Sequence, residues 1–144
     1  MHRGHSVRLP GRPVTTHVAL LRGINVGGKN VLPMKDLAAL FATSGCERVR
    51  TYIQSGNVVF DATPSIAKGL SSKLHAAILK RFGLDVPVAL RTGTELRDAV
   101  AANPFLAAGA ELDTLHLSFL ATAPSASAIA TLDPKRSPGD EFVV

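Results

Sequence analysis

The sequence predicts an α+β fold: a ferredoxin-like βαββαβ unit over residues 15–91, then a second α/β lobe that looks incomplete. Three observations carry this expectation. An apolar strand, Thr15 to Arg22, runs into the glycine-rich cationic loop Arg22-Gly23-Ile24-Asn25-Val26-Gly27-Gly28-Lys29-Asn30. The stretch Thr51-Tyr52-Ile53-Gln54-Ser55-Gly56-Asn57-Val58-Val59-Phe60 reads as a tight hairpin. Stretches of helical period separate the first strand from this hairpin and the hairpin from a fourth strand.

In the first strand Val18, Ala19, Leu20 and Leu21 are apolar on both faces, which suggests cover on both sides. After the loop, Pro33 suits the first helical position, Met34, Leu37, Ala38, Leu40 and Phe41 share one helical face, and Gly45 is a natural stop. From Arg48 to Gln54 the pattern alternates, with Val49, Thr51 and Ile53 on one face and Arg48, Arg50, Tyr52 and Gln54 on the other. Val58 to Phe60 returns after the Ser55-Gly56-Asn57 turn. Thr63 and Pro64 begin a longer helix through Ile66, Leu70, Leu74, Ala77, Ile78 and Phe82, closed by Gly83. Within it Gly69 costs about 1 kcal/mol relative to alanine. Asp85 to Arg91 is the fourth strand, with Val86, Val88 and Leu90 inward.

Beyond this unit, residues 92–109 read as helix and linker. Thr92-Gly93-Thr94-Glu95 has capping-box spacing, its helix should end before Pro104, and a linker runs from Asn103 to Gly109. Residues 110–144 read as a partial β-α-β lobe: a strand from Thr114 to Leu120, a short helix from Pro124 to Leu132, a turn-rich loop, and a strand opening at Glu141. This lobe has no obvious partner strand. Self-association through an exposed sheet edge, or a mobile C-terminal lobe, is the expected consequence.

Composition narrows the class. At 144 residues the chain holds one domain, or a small domain and part of another, and 46% apolar residues suffice for a core. No apolar run reaches the roughly 18 residues of a membrane span. Residues 1–14 are rich in Arg, His, Gly and Pro, lack the apolar core of a secretory signal, and read as a disordered basic extension. With Cys46 the single cysteine, an intramolecular disulfide is excluded and a cysteine metal cluster disfavoured. A cytoplasmic protein without a membrane partner, cofactor or metal is the expectation. The formal charge of +5 is concentrated in the extension: without Arg3, Arg8 and Arg12, 13 basic residues face 11 acidic ones, a net of +2. That is not the profile of a strongly basic nucleic-acid surface.

In a βαββαβ unit the loop after the first strand and the turn after the second share one end of the sheet. Arg22, Gly23, Asn25, Gly27, Gly28, Lys29, Asn30, Gln54, Ser55 and Asn57 are therefore expected around one rim, near Lys80 and Arg81. Glycines let backbone N–H groups approach a ligand, the N-terminus of the following helix favours an anion, and Arg22 and Lys29 supply charge, so a phosphate- or carboxylate-bearing ligand is the candidate. The competing reading is that the glycines only supply positive φ and the polar side chains satisfy turn carbonyls.

Other chemistries fit less well. Gly23 to Asn30 approaches a P-loop, but Asn30 has no hydroxyl for Mg²⁺ and Val31-Leu32-Pro33 intervene before the helix. RNA-recognition modules share the βαββαβ order but stack bases on aromatics of their central strands. Here those strands offer Phe60 alone, with Tyr52 on the neighbouring strand. Cys46, His17 and Asp61 fall at the end of the sheet opposite the glycine loop. Cys46 follows a helix C-terminus, which raises a thiol pKa, and His17 with Asp61 reads as a cross-strand pair. His75 and His116 have no metal-ligand spacing.

The Arg22–Asn30 and Thr51–Phe60 stretches together resemble domain-of-unknown-function family 1697. Asn103-Pro104-Phe105 and Leu115-His116-Leu117 fit it too, so the similarity covers residues 15 to 144. The resemblance implies a bacterial cytoplasmic protein with a ferredoxin-like first half and a related second half, and no established activity. It also implies a continuation, with a further strand, a glycine-rich turn and a closing helix with an Arg-Asn-Trp-Asn motif. This chain has no tryptophan. A binding module is the leading expectation; an interaction or oligomerisation module and an enzyme of unknown reaction are the alternatives.

Overall fold

The computed structural model describes residues 13–54 and 56–144. Most of the expected N-terminal extension, residues 1–12, lies outside them, as does Ser55.

The first strand, β1 (Thr15–Leu21), sits inside a four-stranded antiparallel sheet of order β2-β3-β1-β4. Its two faces differ: His17, Ala19 and Leu21 are buried, whereas Val18 and Leu20 are half-buried. The hairpin forms from β2 (Glu47–Tyr52) and β3 (Asn57–Ala62). β3 lies along β1 with Thr16 opposite Asp61 and Leu20 opposite Asn57. On the other side β4 (Val88–Thr92) pairs Leu21 with Val88 and His17 with Thr92. The chain is thus an α+β protein.

Helices cover the face lined by His17, Ala19, Leu21, Val58, Phe60 and Val88. Helix α1 (Met34–Thr43) buries Leu37, Leu40 and Phe41, and Phe41 packs tilted against Phe60 at 5.1 Å between ring centroids. Pro33 caps this helix and is not its first residue. The single long helix expected from Thr63 to Gly83 is two: α2 (Pro64–Ala67) and α3 (Leu70–Phe82). Lys68 turns extended at ψ 119° and Gly69 takes φ +71°, which only glycine enters without steric cost. The break lets α3 turn Leu70, Leu74 and Ile78 into the core. Gly69 is therefore a junction and not a tolerated interior residue.

The fourth strand begins at Val88 and not at Asp85, since Pro87 has no N–H to give a ladder. Thr92 then caps α4 (Gly93–Ala101) as its spacing predicts, its Oγ1 accepting from the Glu95 N–H at 3.0 Å. The linker holds one more turn, α5 (Pro104–Ala107), whose first N–H groups donate to Asn103 Oδ1.

The strands expected at Thr114–Leu120 and from Glu141 do not form. A 3₁₀ turn spans Leu112–Thr114, a short helix α6 (Ala126–Ala130) follows, and the rest is irregular. Alternating apolar residues become a strand only beside another strand. None joins them at the β4 edge, where the Val88 and Leu90 carbonyls accept from Ser71 Oγ and Arg91 Nη1. Arg91 also reaches the Leu120 carbonyl at 3.3 Å and lies over the Phe119 ring at 4.9 Å. No residue from 93 to 144 is buried, so this part contributes no core of its own.

Candidate functional site

The loop after β1 is anchored from below by two apolar side chains, Ile24 and Leu32, exposed by 2% and 0%. From Gly23 to Asn30 the backbone visits the left-handed region at Gly23, Asn25, Gly27, Gly28 and Asn30. A small internal bridge joins Val26 and Lys29, with the Lys29 N–H donating to the Val26 carbonyl at 3.0 Å. Asn30 Nδ2 closes the loop onto the Gly23 carbonyl at 2.8 Å, and the Asn25 N–H donates to the Asn30 carbonyl at 3.1 Å.

Asn25 is the fastener. Its Nδ2 donates to the Leu32 carbonyl at 2.9 Å and to the Gln54 carbonyl at 3.1 Å, while its Oδ1 accepts from the Leu32 N–H at 2.8 Å. One amide thus ties both limbs of the loop to the hairpin turn. The Leu21 N–H adds a bond to the Gly56 carbonyl at 3.0 Å. The two turns therefore meet at one end of the sheet.

The individual residues divide into two groups. Asn25 and Asn30 commit their amides to backbone groups, Asn30 to the loop itself and Asn25 to both the loop and the hairpin turn. Arg22 and Lys29 are exposed, and neither side chain makes a hydrogen bond or ion pair among the described residues. Gly23, Gly27 and Gly28 have open space around them, so positive φ and not crowding is what a side chain there would meet. Gln54 is exposed and Asn57 half-buried in the same turn; Ser55 lies outside the described residues. The amino end of α1 is already complemented by Asp36 in its first turn, with Arg81 Nη2 at 4.0 Å. An anion at this rim would rely on the loops and not on that helix.

Four large apolar side chains in and beside these loops point outward, of which Tyr52 keeps the polar face that alternation predicts. Val26, Val31, Tyr52 and Ile53 are all more than 60% exposed. Ile53 is expected inward beside Val49 and Thr51. Instead the register of β2 shifts between Glu47 and Arg50, Arg48 takes φ +47°, and Ile53 enters the turn at φ +49°. Only Val49 of the expected inward face is even half-buried.

At the opposite end of the sheet the expected residues separate. His17 stacks on Phe60 at 5.4 Å and 12°, its Nδ1 2.8 Å from the Thr15 carbonyl. Asp61, 2% exposed, accepts from Thr16 Oγ1 at 2.7 Å and pairs with Arg48. His17 and Asp61 are not cross-strand partners; the register sets Thr16 against Asp61 and His17 against Phe60. Phe60 is fully buried and so offers no ring for a base. The Arg48–Asp61 pair was missed because the left-handed turn at Arg48 cannot be read from alternation.

Cys46 is buried, and burial pushes its thiol from 9.0 up to about 11, with nearby Lys73 acting weakly the other way. Burial, and not the helix C-terminus, is the leading cause. Cys46 should therefore alkylate slowly at neutral pH in the folded chain and rapidly once urea unfolds it. Because the folded thiol holds its proton longer than the unfolded one, its contribution to stability falls as pH rises from about 9 to about 11. Fast labelling of folded protein at neutral pH would contradict this.

Among the described residues no three His, Cys, Asp or Glu side chains cluster as metal ligands. No helix there is long and apolar enough to cross a membrane. Two clefts, of about 190 and 330 Å³, lie among residues 100–117 and 131–142, away from the two loops.

The class defined by this fold and these loops is also the one found by comparison. The chain belongs to the family described as "Protein of unknown function (DUF1697)", whose model matches residues 14–144. Among solved structures it is similar to the conserved bacterial protein SP0830 from Streptococcus pneumoniae, at 32% sequence identity and a TM-score of 0.57. That match covers 64% of this chain and 51% of the other, so the chain spans about half the length of that relative. No curated protein matches.

Proposed function

We propose that the rim formed by residues 22–30 and 54–57 binds a phosphate- or carboxylate-bearing ligand, in a bacterial cytoplasmic protein built on a ferredoxin-like unit. The observation that carries this is a pair of exposed cations, Arg22 and Lys29, without partners among the described residues, on a loop fastened to the hairpin turn by Asn25. The strand order β2-β3-β1-β4, antiparallel throughout, supports the ferredoxin-like reading. Arg22 and Lys29 supply charge, Asn25 and Asn30 hold the loop, and Gly27 and Gly28 expose backbone N–H groups.

Thermal-shift screening against nucleotides and sugar phosphates identifies the ligand. A ligand at 100 times its Kd adds about 2.7 kcal/mol of stability. Isothermal titration then tests the residues. Lys29→Ala should weaken binding by about tenfold to a hundredfold, the scale of a lost charged hydrogen bond, and leave the melting temperature of the free protein unchanged. Arg22→Lys should also weaken it, because an ammonium cannot reproduce the guanidinium fork. Unchanged affinity in both would leave the loop with a structural role only.

A further inference from the structure

We infer that this rim docks on an anionic membrane surface, its cations among lipid phosphates and its exposed apolar tips in the interface; this rests on the anion-binding reading above. Between Pro13 and Thr92 the large exposed apolar side chains among the described residues are Val26, Val31, Tyr52, Ile53 and Leu79; Val26 and Val31 lie on the loop after β1, Ile53 in the hairpin turn, and Tyr52 at the end of β2 that leads into it. A free anionic metabolite explains the cations but not this concentration of apolar surface. The elements below are well packed, with Ile24, Leu32 and Gly56 buried beneath the tips. The outward side chains are therefore not the remains of a poor core. Ile53 holds φ +49°, a conformation that a β-branched residue enters at a cost, with its side chain left outside.

Charge selects the partner. Residues 22–33 and 50–57 contain Arg22, Lys29 and Arg50 and no acidic residue. Two carboxylates beyond these stretches have partners of their own: Asp36 faces Arg81 at 4.0 Å, and Asp85 Oδ1 is 2.6 Å from His75 Nε2. A cationic rim repels a second copy of itself and is drawn to an anionic surface. Basic residues around aliphatic tips, with a tyrosine at their margin, match the polarity gradient from headgroups to acyl chains. A nucleic acid would take the same charge but would find a single aromatic ring, Tyr52, for its bases. Docking at the interface needs no spanning helix.

The test is co-sedimentation of the full chain with vesicles of phosphatidylcholine alone, and of phosphatidylcholine with phosphatidylglycerol, at low and high salt. Binding to the anionic vesicles only, weakened by salt, is expected. Paired Val26→Ser and Ile53→Ser changes should lower the bound fraction by about tenfold, since interfacial binding scales with buried apolar area. Leu79→Ser, outside the rim, should leave it unchanged, and melting curves check that each variant folds. No sedimentation at low salt, equal binding by the Val26/Ile53 variant, or binding to a single-stranded oligonucleotide in place of vesicles would overturn the inference. Glycerol phosphate titrated into the same proteins separates the two proposals. Binding that depends on Lys29 without vesicle binding removes the membrane and keeps the anion site. Vesicle and phosphate binding both indifferent to Lys29→Ala and Arg22→Lys removes both.

Discussion

Gly56→Ala is expected to destabilise the fold by about 3 kcal/mol, from backbone strain added to overpacking. Gly56 has φ +88°, and a Cβ placed there would lie 2.8 Å from Leu21 Cβ and 2.9 Å from Ile24 Cδ1. Leu21 Cβ is fixed to the end of β1 and cannot swing away. Ile24 is 2% exposed and closes the base of the loop, so moving it would disturb the rim as well. For a domain of this size the loss corresponds to a fall of roughly 10 °C in Tm. Urea denaturation of the variant beside Gly28→Ala makes the comparison. Gly28 has a similar φ, +74°, but nothing within 4 Å, so its cost should be the strain alone, about 1 kcal/mol. Equal losses in the two proteins would show that the close approach of hairpin to strand does not matter.

Asn25→Asp is expected to cost about 2 kcal/mol and to uncouple the two turns. The change keeps the oxygen that accepts from the Leu32 N–H but removes the amide that donates to the Leu32 and Gln54 carbonyls. A carboxylate there would face two carbonyl oxygens that it can only repel, which costs more than the loss of a neutral hydrogen bond. Asn25→Ala removes both halves of the contact. Hydrogen exchange distinguishes the two: the Leu32 amide should stay protected in Asn25→Asp and become labile in Asn25→Ala. Ligand affinity at Arg22 and Lys29 should fall in both, because the cations would then sit on a loop free to move. Wild-type stability and protection in Asn25→Asp would show that the Gln54 link is incidental.

Much of this architecture is already local in the sequence. The Thr92 cap, Gly45 and Gly83 as helix ends, and the hairpin around Gly56 follow from φ requirements and capping geometry, which neighbouring residues set among themselves. The meeting of the two turns follows from strand direction, since up-and-down connections leave few ways to arrange four strands. The cationic character of the rim is likewise read directly from Arg22 and Lys29. Tertiary structure decided what depends on distant partners. Gly69 became a break because burying Leu70, Leu74 and Ile78 required α3 to leave the line of α2, and helical period alone does not show where the core lies. Ile53 turned outward because it leaves β2 for the turn at φ +49°, although Thr51 shortly before it still faces Val58 across the hairpin; upstream, an irregularity near Arg48 lets Asp61 on another strand take the Arg48 side chain. Asn25 acquired its role from Gln54, 29 residues away. The alternating residues 114–120 did not become a strand because a strand's hydrogen bonds are made with another segment. Local preference can prepare a chain for such a pairing, but only a partner in space completes it.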